Sequence, residues 1–446
     1  MKTGRSFYRR RSGFTVVELL IVLAVTLILT LIMLQLFNLS DRLARVQTRV
    51  SEMQQSLRIG QYDMVRLARM AGRGGLPSIQ AGTALPSGIA VSVRGNVSGT
   101  GARLTPGDAG TPKLLEGTDV ITLRGAFSTQ IFQLNSLDKR TFRRWDDGAN
   151  PAGGGSDADP ATTTNGEFQL CAVSPAGIAQ PLAPFQALID DASTNPSGAS
   201  LEALVLVSPL DPAFYTVVQM DPIHSTKTAT TCAIGIEGVT IKYLTNDDAR
   251  SVAYRALQPP GAFRMPPQLT SAIYVGIIEE YRYYVREDRA DPTDPASDLV
   301  PVLTRARFYP GTEVAYQNNA SNLTVDIASG IVDLQASYGI DTNNDGQVIE
   351  GLAVADRPND EWLGNARIAN AANAPPENPI AGKLAYLRIS TLARTERRDP
   401  DYVAPVLDRS EDHSYAFDVP DRTNGRTDRM YRRRQLQTIV DLRNLS

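Results

Sequence analysis

Cysteine and histidine are almost missing from this chain: its 446 residues hold 2 of each. His224 and His413 lie far apart, and two cysteines without a histidine cluster do not make a zinc centre. Outside the cytoplasm, Cys171 and Cys232 suggest one disulfide, worth about 4 kcal/mol in the chain-entropy model. Two separate buried thiols are the other reading of the pair. The patterns G-x-S-x-G, P-loop and H-E-x-x-H are absent, and no other catalytic set replaces them. An enzyme is therefore not expected.

An excess of positive charge is missing too. The formal net charge is -3, and the cations Lys2, Arg5, Arg9, Arg10 and Arg11 all precede residue 14. The remainder is more acidic still, which does not suit non-specific nucleic-acid binding. The row Arg432, Arg433, Arg434 could meet phosphates. Asp418, Asp421, Asp428 and Asp441 surround it in sequence, so it reads first as a mixed, solvated surface.

Charge of either sign is absent from residues 19–40. Residues 14–37 are apolar except Thr15, Glu18, Thr26, Thr30 and Gln35. About 20 such residues span a bilayer as a helix. No A-x-A-like cleavage site follows the run, as it would in a secretory signal. The small residue available is Gly13, ahead of it. The basic head should remain cytoplasmic under the positive-inside rule.

Glu18 then needs a reason. A charge at a membrane helix centre costs about 2.5–3.5 kcal/mol, less near the helix end. Glu18 could snorkel in a plain anchor. It could instead pair with the α-amino group of a neighbouring chain's Phe14 and set the axial register between stacked helices.

The string Gly13-Phe14-Thr15-Val16-Val17-Glu18, with its basic leader and apolar helix, closely resembles the prepilin signal of type IV pilins and type II secretion pseudopilins. The resemblance implies cleavage between Gly13 and Phe14 by a prepilin peptidase, N-methylation of Phe14 and assembly through the helix. Val16 stands where that family often has Leu.

Beyond Phe37 the pattern becomes amphipathic. Leu39, Leu43, Val46, Val50, Met53, Leu57, Gly60, Met64, Leu67 and Ala71 keep four-three spacing on one face. The stripe is expected to pack on the chain's own head, with neighbouring chains as the other candidate. Gly72, Gly74, Gly75 and Pro77 should end the helix, and Gly60 could bend it.

The rest is rich in Gly and Pro, and strand signals recur. They are read at Leu201–Val207, Tyr215–Met220, Val239–Tyr243 and Glu279–Val285. Val332, Leu334, Ala336, Tyr338 and Ile340 alternate with Asp333, Gln335 and Ser337, and two further alternating runs centre on Leu387 and Thr438. Period-two patterning with one apolar face predicts antiparallel sheet. Residues 72–117, 146–166, 287–298 and 356–380 read as loops.

Asp341, Asn343 and Asp345, followed by Gly346 and Gln347, match the first half of a calcium loop. Leu352 stands where an EF-hand has Glu, and a polar turn without metal fits the same residues. The segment from Leu323 to Asp345, with Leu387-Arg388-Ile389 and the terminal Arg432–Asn444, resembles PilW-type minor pilins. Residues 76–270 resemble nothing recognised.

The expected fold class is α+β: a long N-terminal pilin helix packed on a large antiparallel β-rich head. The expected divisions are a leader at 1–13, a membrane-spanning and assembly helix at 14–37, an amphipathic continuation at 38–72 and a head at 73–446. The resemblance implies a structural minor pilin. It would begin as a single-pass inner-membrane protein and end in the pilus. Its partners would be other minor and major pilins, the prepilin peptidase and the assembly platform, with nucleic acid not expected. A J-type minor pseudopilin of type II secretion, a tip adhesin or DNA-binding module, and an unpolymerised membrane anchor are the alternatives. If calcium occupies Asp341, Asn343, Asp345 and Gln347, chelation lowers the melting temperature of the purified chain. An unchanged melting curve leaves a plain turn.

Overall fold

The structure is a computed structural model. It describes residues 15–76, 90–95, 97, 103–105, 112–134, 143–144, 165–194, 203–207, 215–229, 232–244, 274–289, 293–294, 299–318, 321–322, 324–341, 361–364, 383–399, 402–404, 409–410, 413–414 and 430–442. Helix α1 runs Val16–Met70. The chain divides into two units, Met1–Glu52 and Met53–Ser446.

In the first unit every large apolar side chain from Val16 to Phe37 that α1 presents is exposed. The amphipathic stripe is buried later than its spacing predicts. Leu39 and Leu43 stay 55% and 53% exposed, whereas Met53 falls to 6%. From Met53 on, Leu57, Gly60, Met64, Leu67, Ala68 and Ala71 are buried as the pattern requires.

Helix α1 continues unbroken through Gly60. A Cβ there would stand 2.9 Å from Leu303 Cδ2 and 3.5 Å from Ala328 Cβ, so this glycine permits close approach to the sheet. At the C-terminus Gly72 takes φ +76° and its N–H donates to the Arg124 carbonyl at 2.9 Å. That positive φ is the conformation a helix stop needs, and the stop is welded to the sheet.

The first strands of the head are β1 (Val91–Arg94), β2 (Val120–Gly125), β3 (Phe132–Gln133), β4 (Arg143–Arg144) and β5 (Asn165–Cys171), followed by helix α2 (Ala183–Thr194). Next come β6 (Ala203–Val207), β7 (Tyr215–Thr226), β8 (Gly238–Leu244), β9 (Tyr274–Arg289), β10 (Leu299–Phe308), β11 (Gln317–Asn318), β12 (Ser321–Asn322), β13 (Thr324–Ser329) and β14 (Ile331–Asp341). The last are β15 (Glu361–Gly364), β16 (Lys383–Arg394), β17 (Arg409–Ser410), β18 (His413–Ser414) and β19 (Arg433–Asp441).

An 11-stranded sheet follows the path β1-β2-β9-β6-β7-β8-β5-β4, with β10, β13 and β3 joined at its side. A second, 4-stranded sheet has the order β15-β14-β16-β19. Every ladder between named strands is antiparallel.

Strand β9 belongs to two regions. Its first half, from Tyr274 to Ile278, pairs with β6. Its second half pairs with β2 on one side and β10 on the other. The first half helps enclose a core of Phe132, Phe168, Phe185, Val218, Ile241 and Val275 under α2. The second half shares Tyr284 with Val97, Leu114, Val120, Ala306 and Phe308.

Expected alternation fails where strands are covered on both faces. Glu279, Glu280 and Arg282 on β9 are buried along with their apolar neighbours. Glu280 accepts from Arg124 Nε at 2.6 Å, Arg282 Nε at 2.7 Å and the Gly311 N–H at 2.7 Å. Asp333 and Gln335 on β14 are buried as well, because the loop before β2 lies over them. Gln335 Nε2 donates to the Gly117 carbonyl at 2.8 Å, and the Ala336 N–H donates to Asp119 Oδ2 at 2.8 Å. These bonds stitch the two sheets together. The span 72–117, read as loop, contains β1, whose four residues pair with β2.

Burial opposes ionisation of Glu280, yet Arg124, Arg282 and the Gly311 N–H outweigh it and hold its carboxyl below the ordinary value. A depressed carboxyl contributes stability above its unfolded pKa of roughly 4.3, and that contribution is lost as pH falls through the folded value. Glu280→Gln should therefore cost about 3–5 kcal/mol at neutral pH, by removing the buried carboxylate that Arg124 Nε and Arg282 Nε both donate to. The melting-temperature gap between variant and parent should narrow as pH drops from 7 to 3. A gap independent of pH would refute this account.

Candidate assembly interface

Gly13 and Phe14 lie outside the described residues, and the site begins at Thr15. The Thr15 N–H and the Thr15 hydroxyl both donate to Glu18 Oε2 at 3.1 Å, and the Glu18 N–H donates to Thr15 Oγ1 at 3.2 Å. This is a reciprocal capping box: Thr15 caps the helix and Glu18, three residues on, caps it in return. The carboxylate also lies at the end of α1 where the helix dipole favours negative charge. Glu18 thus has a local reason to exist that the charge-cost argument does not supply. The T-x-x-E spacing is present in the sequence to be read.

Behind the cap, the polar residues of the apolar run satisfy themselves. Thr26 Oγ1 donates to the Val22 carbonyl and Thr30 Oγ1 to the Thr26 carbonyl, both at 2.7 Å. Neither hydroxyl is left bare on the helix surface, as a lipid or helix-lined environment demands. Among the described residues, α1 is the one helix long and apolar enough to cross a membrane.

The second part of the site is the seam between residues 53–71 of α1 and the sheets. Two polar side chains anchor it. Asp63 accepts from Tyr283 Oη at 2.8 Å and from Arg305 Nη1 at 2.9 and 2.8 Å. Tyr283 and Arg305 are directly paired across β9 and β10. Burial, with Asp63 beside it, pushes the Tyr283 phenol upward, so it remains a proton donor.

Gln61 is 4% exposed and reaches the other sheet. Its Nε2 donates to the Leu436 carbonyl at 3.0 Å, to Thr391 Oγ1 at 3.1 Å and, at longer range, to the Ile389 carbonyl at 3.4 Å. Its Oε1 accepts from the Thr438 hydroxyl. Thr391 faces Leu436 and Ile389 faces Thr438 on β16 and β19, two rungs separated by the pair Ser390 and Gln437. Sequence reasoning passes over both anchors. The available signal is polar Gln61 beside Gly60 on an otherwise apolar stripe.

Residues 8–34 match the model of the prokaryotic N-terminal methylation motif, and residues 282–444 match the model of type IV pilus-assembly protein W. These two segments are what the chain shares with PilW-type pilus-assembly proteins and with chains that carry the N-terminal methylation motif. No curated protein matches. A solved type IV-like pilin from Thermus thermophilus is similar at 12% identity, over 59% of this chain and 97% of that one, with a TM-score of 0.18. At that score the two folds are not shown to be alike.

The PilW segment starts inside β9, and so takes in the strand's second half, β10, β14, β16 and β19. The lobe built on the first half of β9 lies outside it. There Cys171 and Cys232 are joined in a disulfide, with Cα atoms 5.6 Å apart, which ties the end of β5 to the segment entering β8. Of the calcium candidates, Asp341 is the last residue of β14, while Asn343, Asp345 and Gln347 lie outside the described residues. No group of three or more metal-ligating side chains occurs among the described residues. In the basic row of the PilW-matched segment, Arg432 is engaged: Nη2 donates to Asp399 Oδ2 at 2.9 Å and the guanidinium lies 4.3 Å over Tyr402.

Removing the cap is a direct test. Thr15→Ala should cost about 1 kcal/mol at the helix start. Amides from Glu18 to Leu20 should then exchange faster in the detergent-solubilised full chain, and Thr15→Ser should restore protection. Equal exchange in all three proteins would show that the cap contributes nothing.

Proposed function

We propose that this PilW-like chain enters the inner membrane with its basic leader in the cytoplasm and the head on the far side. A prepilin peptidase cleaves between Gly13 and Phe14, and Phe14 is N-methylated. The mature subunit then joins other minor and major pilins at the assembly platform, priming the filament or sitting near its tip. The observation that carries this reading is a capped, unburied apolar helix that continues into a PilW-type β head.

In this reading Glu18 serves twice. In the single chain it holds Thr15. In the filament its carboxylate receives the α-ammonium of a neighbouring Phe14, which sets the axial register. An ammonium beside a carboxylate in an apolar bundle forms a charge-assisted hydrogen bond that water no longer weakens.

A second role is favoured by one observation. The lobe with α2 has its own apolar core and its own disulfide, outside the PilW match. It is a self-contained addition suited to binding a further partner, while the PilW part handles assembly.

Mass spectrometry of the mature N-terminus decides the main reading. Methylated Phe14 is expected, and an intact Met1 would sink it. Glu18→Ala should still be cleaved but be lost from sheared filaments; normal incorporation would remove the register role.

A further inference from the structure

An apolar stripe does not define where a helix sits along a sheet. Leu57, Gly60, Met64, Leu67 and Ala71 repeat every three or four residues. A slide by one turn, about 5.4 Å, therefore still places apolar atoms on apolar atoms. Dispersion and the hydrophobic effect are non-directional and would accept several such positions. Hydrogen bonds would not.

The geometry points to Gln61, supported by Asp63, as the positioning residue that fixes one register between α1 and the head. Each anchor grips paired residues of neighbouring strands rather than a single strand. Gln61 reads two rungs on either side of the pair Ser390 and Gln437, Thr391 with Leu436 and Ile389 with Thr438. Asp63 reads the rung Tyr283 with Arg305 on the other sheet.

The socket is complete in itself. Thr391 Oγ1 also lies 3.3 Å from the Leu436 carbonyl, so the carboxamide enters a site whose polar atoms are already aligned. Slid by a turn, Gln61, itself buried, would lose every one of these partners, and an unmade hydrogen bond at a buried group costs about 1–3 kcal/mol. The same logic lets one buried asparagine set register in a coiled coil. Both sockets lie within the PilW-matched residues, whereas Gln61 and Asp63 lie outside that match.

The functional consequence rests on the pilin reading: a head locked at one register on α1 enters the filament in one pose. Two arms keep the proposal and that reading separable. The first uses the full chain in detergent micelles. Gln61→Leu keeps a side chain of similar size and removes its hydrogen-bonding atoms, and should melt within a few degrees of the parent. Amides of residues 53–71 and 433–441 should nonetheless exchange at least tenfold faster, while those of β7 and β8 stay unchanged. Thr438→Val, which removes only the hydroxyl partner, should act in the same direction, and the double variant should be no worse than Gln61→Leu alone.

Unchanged exchange in Gln61→Leu overturns the proposal. So does a uniform rise across the whole head with a large fall in melting temperature, which is plain destabilisation. If Gln61→Leu does not fold, Thr438→Val decides by the same criteria. The second arm compares filament incorporation at equal membrane levels, where Gln61→Leu should fall about tenfold. A parent chain absent from filaments would refute the pilin reading, and the exchange result alone would then decide the role of Gln61. A parent that incorporates beside an undiminished Gln61→Leu would overturn the positioning role.

Discussion

Everything in the head hangs on the buried charge at the middle of β9. Glu280 is enclosed between Arg124 of β2 and Arg282 of its own strand, and Gly311 beyond β10 closes the ring. A lone carboxylate there would be prohibitive, and a lone arginine equally so. Paired, they allow a strand covered on both faces to carry polar residues without opening to water. The helix stop then joins the same node through the Arg124 carbonyl and the Gly72 N–H. Sheet, helix end and loop therefore meet at one electrostatic junction, and none can be repositioned without exposing a charge.

From that junction the chain divides its work. The half of β9 that enters the PilW match supports β10, β14, β16 and β19, and these strands receive the helix. The other half supports a lobe with a separate apolar core and a covalent tie. Such an addition grows from one strand without disturbing the helix seam, because the seam draws on the opposite half of that strand. This is how a head can be large without altering the seam that holds its helix.

Much of this is legible from residues. The uncharged run, the glycine stop after Ala71 and the strands at Leu206, Val218, Ile241, Leu334, Leu387 and Thr438 follow from hydropathy and periodicity. What periodicity does not convey is how many faces of a strand are covered. Asp333 and Gln335 read as a solvent face, yet they are hydrogen-bonded under the loop at Gly117. Helix α2 and strands β1, β2, β5, β10 and β13 escape because the breakers around them draw attention to the turns. The close approach at Gly60 escapes for a related reason, since a neighbour from β10 cannot be seen in a local window. The capping pair Thr15 and Glu18 is visible in the sequence, but a charge in an apolar helix is the louder signal.

The way Asp63 takes hold of the sheet has a mechanical side. It binds Tyr283 and Arg305, which face one another across β9 and β10. A lengthwise tug on the helix therefore reaches both strands of that ladder together. The ladder runs through ten paired positions, from Leu299 with Arg289 to Phe308 with Glu280. Load applied along such strands is shared by all the rungs at once rather than unzipping them one by one. A helix held in this manner is coupled to a whole ladder rather than to a single strand.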